Sequence, residues 1–252
     1  MARPRLDQIV PELSIGAGAQ LVAAMFNGIM STRERMIVVA VDQLIEVGPV
    51  DFNSGLVCEV LNVKHPMIKH HFGSKENLLA EALIWTFRTW SRFQTVAIRT
   101  AKNKPEDQLR TFITAELEWA KQMKAMAVIS QYPLLSVKVL KILDTNHKFE
   151  MQRLFEYHLS ILTMVIIALR NKSKANLDFD ATNYPRTELV IKNSSAFLAA
   201  TSISWSTHGL TMWSTGDHLS TQGFATDVVG SLSQKIAIEN HIKNIIRIAE
   251  GK

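Results

Sequence analysis

The chain has a single cysteine, Cys58, among its 252 residues. One cysteine excludes an intrachain disulfide and any metal site built from paired thiolates, and it fits a reducing compartment. Long apolar runs are also scarce. The run at 161–169, ILTMVIIAL, is far shorter than the ~20 residues of a membrane-spanning helix, so we expect a buried helix there. The uncharged stretch at 13–30 is interrupted by polar residues and follows two acids, which disfavours a secretory signal. These absences predict a cytoplasmic protein without a membrane partner.

The sequence also lacks the motifs of the common enzyme classes. It has no GxSxG elbow, P-loop, HExxH pair or glycine-rich dinucleotide motif. Two pairs of candidate catalytic or ligating residues occur, His70 with His71 and Glu116 with Glu118. Residues one or two positions apart on a helix point in different directions, so neither pair converges on one site. We therefore predict no enzyme activity, no metal and no cofactor.

Strand-like alternation is rare, and apolar residues recur at helical spacing almost throughout, which predicts an all-α fold. The first firm helix begins at Ser31, where STRE forms a capping box with Glu34, and it ends at Gly48 before a proline. A short second helix is expected from a cap at Asn53 or Ser54 to about residue 61. The next helices are expected near 65–72, where Pro66 lies in the first turn, and at 75–102 after a Ser74 cap.

Further helices are predicted along the rest of the chain. The expected ranges are about 105–130, a shorter helix after Pro133, 145–170, 187–212 and 225–249. Residues 1–30 are expected to form an irregular or weakly helical extension. The arrangement of three helices at 31–72, the last two short and joined by a tight turn, predicts a helix-turn-helix.

Positive charge is concentrated around this turn. The net charge of the chain is +5, yet residues 1–75 hold seven basic and seven acidic residues. No acid occurs at 60–75, where three lysines and three histidines fall: Lys64, His65, Lys69, His70, His71 and Lys75. On the third helix, Ile68 and Phe72 face one side and Lys69 and His70 the other. A cation at the start of a helix, as Lys75 is, becomes favourable when an anion such as a DNA phosphate binds there. A solvated helical corner with no partner is the alternative.

The segment 31–83 contains the sequence STRERMIVVAVDQLIEVG followed by FNSGLVCEVLNVKHPMIKHHFGSKENLLAEAL. This sequence resembles the DNA-binding domain of the tetracycline-repressor (TetR) family. The resemblance implies a helix-turn-helix domain at 31–75 and a helical domain at 76–252 that binds a small ligand and forms a homodimer, behind an N-terminal extension at 1–30. It further implies contacts to double-stranded DNA from Asn53, Ser54, Lys64, His65, Pro66, Met67, Lys69, His70, His71 and Lys75.

Several residues depart from the family pattern. Asn62 stands where the turn usually has glycine, Lys64 replaces a serine, and Lys69 replaces a tyrosine that contacts phosphate. Met67 occupies a base-contacting position and offers apolar contact, for example to a thymine methyl group. The departures affect which DNA sequence is bound. They also leave open a TetR-like small-molecule-binding protein without DNA binding.

Large apolar side chains in the second domain suggest a pocket for a small apolar ligand. The predicted lining is Trp90, Trp119, Met123, Phe155 and His158, although each of these residues alone is more typical of an ordinary core. A twofold homodimer is predicted on the last two long helices. The small residues at 194–204 allow close packing, and Val228, Leu232, Ile236, Ile242, Ile245 and Ile246 supply apolar surface. The sequence thus predicts a repressor that its ligand releases from a palindromic operator.

Overall fold

A computed structural model describes residues 15–26, 28–49, 51–102, 104–124, 126, 141–185, 193–214 and 231–251. Every regular element in these ranges is a helix, which confirms the all-α prediction. The helices are α1 (Ala17–Ala23), α2 (Thr32–Val47), α3 (Ser54–Val60), α4 (Pro66–Phe72), α5 (Lys75–Thr100), α6 (Pro105–Met123), α7 (Thr145–Arg170), α8 (Ser194–Ser214) and α9 (Ser231–Glu250).

The chain forms two compact units, and both are discontinuous in sequence. Residues 1–90 and 122–151 form the first unit, and residues 91–121 and 152–252 form the second. The helices α5, α6 and α7 each pass from one unit to the other. The segment 31–75, predicted to be a separate domain, lies entirely in the first unit.

The N-terminal extension contributes a packed helix to the first unit. Ala19 and Val22 of α1 are fully buried, and α1 packs on α2. The backbone N–H of Gly16 donates to Asp42 on α2 (2.8 Å). A Cβ at Gly18 would lie 2.6 Å from the backbone carbonyl oxygen of Gln122, which cannot move aside as a side chain could, so only glycine permits this approach. The described part of the extension is therefore more regular than the sequence predicts.

The local signals around α2 act as predicted. The Ser31 hydroxyl accepts the backbone N–H of Glu34 (3.3 Å), and the Glu34 carboxylate accepts that of Ser31 (2.7 Å), which completes the capping box. Gly48, at a φ of 72°, ends the helix. The inner face of α2, which includes Ile37 and Leu44, is fully buried. This face supplies the apolar surface on which the short helices pack.

The second unit has one continuous apolar core. It draws on the end of α5, on α6, α7, α8 and α9, and includes Phe112, Ile161, Ile203 and Ile242. By length and composition alone, α7 is apolar enough to cross a membrane, but more than half of its most apolar window is buried in the protein. Five of the nine residues at 161–169 are fully buried, in agreement with the predicted buried helix.

Two of the isoleucines assigned to a dimer interface are core residues instead. Ile242 and Ile245 are each 1% exposed and pack in the core of the second unit, so residues of the same chain cover this face of α9. Ile236 is 53% exposed. Val228, the side chain of Leu232, the helix predicted after Pro133 and residues 186–192 and 225–230 lie outside the described residues.

Candidate nucleic-acid interface and buried polar layer

A tight turn fixes the approach of the chain from α3 to α4. Asn62 adopts a φ of 51°, the left-handed conformation that asparagine tolerates better than most residues. The N–H of Val63 then donates to the carbonyl of Cys58 (2.9 Å), which closes the end of α3. Asparagine therefore serves at the position where the resemblance led us to look for glycine.

The helix α4 is held through one face. Ile68 and Phe72 are 2% and 8% exposed, as the wheel predicts. The guanidinium of Arg33 on α2 lies 5.0 Å from the centre of the Phe72 ring and pairs with Glu81 on α5 (2.6 Å). Arg33 thus connects three helices at the inner side of α4, and the opposite side stays free of these contacts.

Most of the predicted DNA-contacting residues, on α4 and before and after it in the chain, are exposed to solvent. The exposed members of the predicted set are Asn53, Lys64, His65, Pro66, Lys69, His70 and Lys75, and Met67 and His71 are half-buried. The rings of His70 and His71 meet edge to face at 4.9 Å, so the two imidazoles point differently, as expected. Ser54 is 6% exposed, which removes its side chain from this surface. The side chain of Asn53 accepts the backbone N–H of Gly55 (2.9 Å) and so caps α3.

The start of α5 carries Lys75, the last residue of the predicted set. Gly73 adopts a φ of 78° between the two helices. The Ser74 hydroxyl accepts the N–H of Asn77 (3.1 Å), which confirms Ser74 as the cap, and the Asn77 side-chain amide donates to the Phe72 carbonyl (2.8 Å). The side chain of Lys75 is 69% exposed, and its ammonium lies 3.9 Å from Glu76. Such a long, exposed pair holds the lysine weakly, so Lys75 can turn to an external anion.

The five residues predicted to line a ligand pocket fall in both units. Trp90 and Met123 are fully buried in the first unit, and the Trp90 ring packs on Phe87 with centroids 5.0 Å apart. Trp119 and His158 are fully buried in the second unit, whereas Phe155 is half-buried there.

In the second unit, His158 belongs to a buried polar layer that sequence reasoning missed. Glu116 on α6 and His208 on α8 are 1% and 5% exposed, and Glu116 Oε1 lies 3.4 Å from His208 Nε2. This distance is too long for a strong hydrogen bond and suits an ion pair when His208 is protonated. Burial lowers the pKa of His158 to about 4; nearby Glu116 partly offsets this, and His208 lowers it further. His158 is therefore neutral at physiological pH.

The polar face of α8 gives the clearest sequence signal of this layer. Ser204, Thr207, His208 and Thr211 recur at helical spacing, and all four are buried. When the helices that pack around it are unknown, a polar stripe of this kind is expected to face solvent. Among the described residues, no group of three or more His, Cys, Asp or Glu side chains is placed to hold a metal ion.

A surface cleft of about 640 Å³ also lies in the second unit. It is formed by the start of α6, the end of α7 and the end of α9, and its lining residues are Lys104, Pro105, Glu106, Ala168, Leu169, Lys172, Ser173, Lys174 and Glu250. None of the five predicted ligand-binding residues lines it. Its charged, open wall does not match the predicted apolar pocket.

Comparison of the chain with protein-family models, with curated proteins and with solved structures finds no match.

Proposed function

We propose that the chain is a DNA-binding transcriptional regulator in which α3 and α4 form a helix-turn-helix and α4 enters the major groove. The observation that carries the proposal is the two-sided character of α4. Its inner face is fixed by Ile68, Phe72 and Arg33, and its outer face is an exposed, acid-free set of basic and imidazole groups. A rigid helix that presents donors on one side is what base reading requires.

The contacts divide by chemistry. Lys69 and Lys75 are exposed cations that suit phosphate oxygens, and Lys75 lies at the first turn of α5, where backbone N–H groups also favour an anion. Met67, half-buried on α4, offers apolar contact to a base edge, and His70 can donate or accept there. The same positions carry the resemblance to the TetR family, which supports this division of roles.

A homodimer on α8 and α9 accompanies the proposal. The helix α8 contains no Asp, Glu, Lys or Arg, and its exposed side includes Leu198 (64% exposed) and Trp205 (51% exposed). Among the side chains of α9 that the structure describes, Ile236 and Ile248 are apolar and exposed, and α9 packs on α8. An uncharged helix that exposes a leucine and a tryptophan is typical of a surface that a partner covers. Two copies related by a dyad would read a palindrome.

Repression relieved by a small ligand is the mode of regulation that we propose. If the helical body binds the ligand more tightly in one dimer arrangement than in another, ligand binding shifts the population towards that arrangement. The distance between the two α4 helices then changes. The rival proposal is a small-molecule-binding protein of similar fold that does not bind DNA. The buried polar layer is compatible with both proposals, so a test of DNA binding is needed to distinguish between them.

Selection from a random duplex library tests the proposal. The full chain should enrich an inverted repeat whose half-sites are separated by about one helical turn. The double variant Met67→Ala, His70→Ala should lose the sequence preference and keep its affinity for unrelated duplexes, because phosphate contacts remain. No enriched sequence for the wild type at low salt would favour the rival proposal.

A further inference from the structure

Three histidines lie in the basic segment 60–75, and the structure gives each of them different surroundings. His65 precedes α4 at its amino end, whereas His70 and His71 belong to its last turn. His65 and His70 are exposed, and His71 is half-buried. Imidazole is the side chain that ordinarily gains or loses a proton between about pH 5 and pH 8. The three positions therefore differ in how well each can hold a positive charge when DNA is bound.

His70 has the surroundings that suit an imidazolium best. It lies in the last turn of α4, where the backbone carbonyls carry a partial negative charge that favours a cation. Because His70 is exposed, water can solvate the charged ring, so protonation has no large desolvation cost. It also lies on the basic side of α4 with Lys69, away from the buried Ile68 and Phe72. An imidazolium at this position would face a bound duplex.

The other two histidines are less suited to a positive charge. The amino end of α4 carries a partial positive charge, which disfavours a second cation at His65. The Nε2 atom of His71 is buried and has no hydrogen-bond partner among the described residues. A proton on that atom would leave a buried N–H unpaired, which is costly. The His70 and His71 rings are also only 4.9 Å apart, so a charge on His70 further disfavours one on His71.

The charged groups on the helices around α4 do not neutralise an imidazolium there. Arg33 on α2 pairs with Glu81 on α5 (2.6 Å), and Glu76 on α5 lies 3.9 Å from Lys75. Glu59, near the end of α3, is exposed. In the part of the chain that the structure describes, none of these carboxylates forms an ion pair with an imidazole of α4. A charge acquired by the helix is therefore available to an external acceptor.

We propose that His70 contacts a guanine as the imidazolium, so that the chain binds its DNA site more tightly as the pH falls from about 8 to about 6. The imidazolium has two N–H donors and no acceptor, and the major-groove edge of guanine presents two acceptors, N7 and O6. This inference rests on the proposed function, because it adds a form of regulation to the same surface.

Proton linkage fixes the direction of the effect. The proton comes from solvent, and each His70 that is neutral before binding takes up one proton when the complex forms. The complex then holds more protons than the free protein and DNA, so the association constant rises as the pH falls. The rise is at most about tenfold per pH unit for each copy of the chain. At high pH the complex lacks this contact, and the affinity reaches its lower limit.

The experiment measures the dissociation constant of a labelled duplex by fluorescence anisotropy from about pH 6 to about pH 8 at constant ionic strength. The probe is the duplex that the full chain enriches from a random library at about pH 6. For the wild type, the log of the association constant should rise by about 0.5–1 per pH unit of decrease for each copy. His70→Gln keeps a hydrogen-bonding side chain that cannot become charged, and its affinity should not change with pH. His70→Lys is charged throughout, so it should also lose the pH dependence and bind more tightly than the wild type at about pH 8.

The matched controls are His65→Gln and His71→Gln, which remove the other two imidazoles of the segment and should keep the wild-type slope. A wild-type affinity independent of pH, a slope that survives His70→Gln, or a slope that His65→Gln removes equally would each overturn the inference and leave DNA binding by α4 in place. An equal slope on an unrelated duplex would place the imidazolium on a phosphate and overturn the assignment to guanine. If the chain enriches no duplex at any pH, the inference and the proposed function fail together.

Discussion

Replacement of Trp205 by glutamate should dissociate the proposed dimer. Trp205 is 51% exposed on the uncharged side of α8. A tryptophan side chain can bury up to about 250 Å². A dimer that covers the exposed half of Trp205 therefore removes about 125 Å² of its surface from water in each copy, which stabilises the dimer by about 3 kcal/mol at about 25 cal/mol per Å². Because Trp205 occurs once in each copy, its replacement should destabilise the dimer by about 6 kcal/mol, which raises the dimer dissociation constant about 10,000-fold. The added carboxylates increase the effect, since they would be buried together.

Sedimentation velocity at micromolar concentration provides the assay. The wild type should sediment at about twice the 28.3 kDa chain mass, and Trp205→Glu as a monomer with an unchanged circular dichroism spectrum. The matched control is Phe149→Glu, which changes an aromatic residue of similar exposure (68%) on α7 and should leave the dimer intact. A Trp205→Glu protein that remains a dimer, or a wild type that is monomeric, would refute this use of α8.

Two further predictions concern stability. Gly73→Ala should cost about 1–3 kcal/mol in urea unfolding, because the combination of a φ of 78° and a ψ of −39° lies outside the regions open to residues with a side chain; an unchanged free energy of unfolding would contradict this reasoning. The pKa of His158 falls from 6.5 to about 4 on folding because of burial, so the unfolded state binds more protons between these values and stability declines as pH falls through the window. At about pH 5 the loss is about 2 kcal/mol. His158→Gln should remove that part of the decline, and an unaltered pH dependence of the unfolding free energy would contradict the assignment.

The parts of the fold that follow from the sequence are those with local causes. The capping box at Ser31, the left-handed Asn62 and the Ser74 cap each depend on residues within about three positions of one another. The inward side of α4 was also predictable, because Ile68 and Phe72 are the apolar residues of a short helix whose other side is basic.

Features that depend on distant partners could not be predicted in the same way. The buried layer of the second unit combines side chains from α6, α7 and α8, and no spacing in the chain relates Glu116 to His208. The same reasoning explains the error at Ile242, since an apolar stripe shows that a face is covered and does not show whether the cover comes from the same chain. Likewise the packing of α1 depends on the close approach of Gly18 to the backbone of Gln122, which no helical periodicity reveals.

The salt dependence of DNA affinity tests the central claim most directly. For wild type and for Lys69→Ala, Lys75→Ala and the control Lys141→Ala, fluorescence anisotropy would give the dissociation constant of a labelled duplex at several salt concentrations. Lys141 is also exposed and lies outside the basic segment 60–75, so its loss changes net charge equally. Lys69→Ala and Lys75→Ala should each reduce the slope of log affinity against log salt by about 0.9 per copy of the chain, because each removes one phosphate contact, whereas the slope of Lys141→Ala should match that of the wild type. Equal slopes for all four proteins, or no binding by the wild type at low salt, would contradict a DNA-binding surface at α4 and the start of α5.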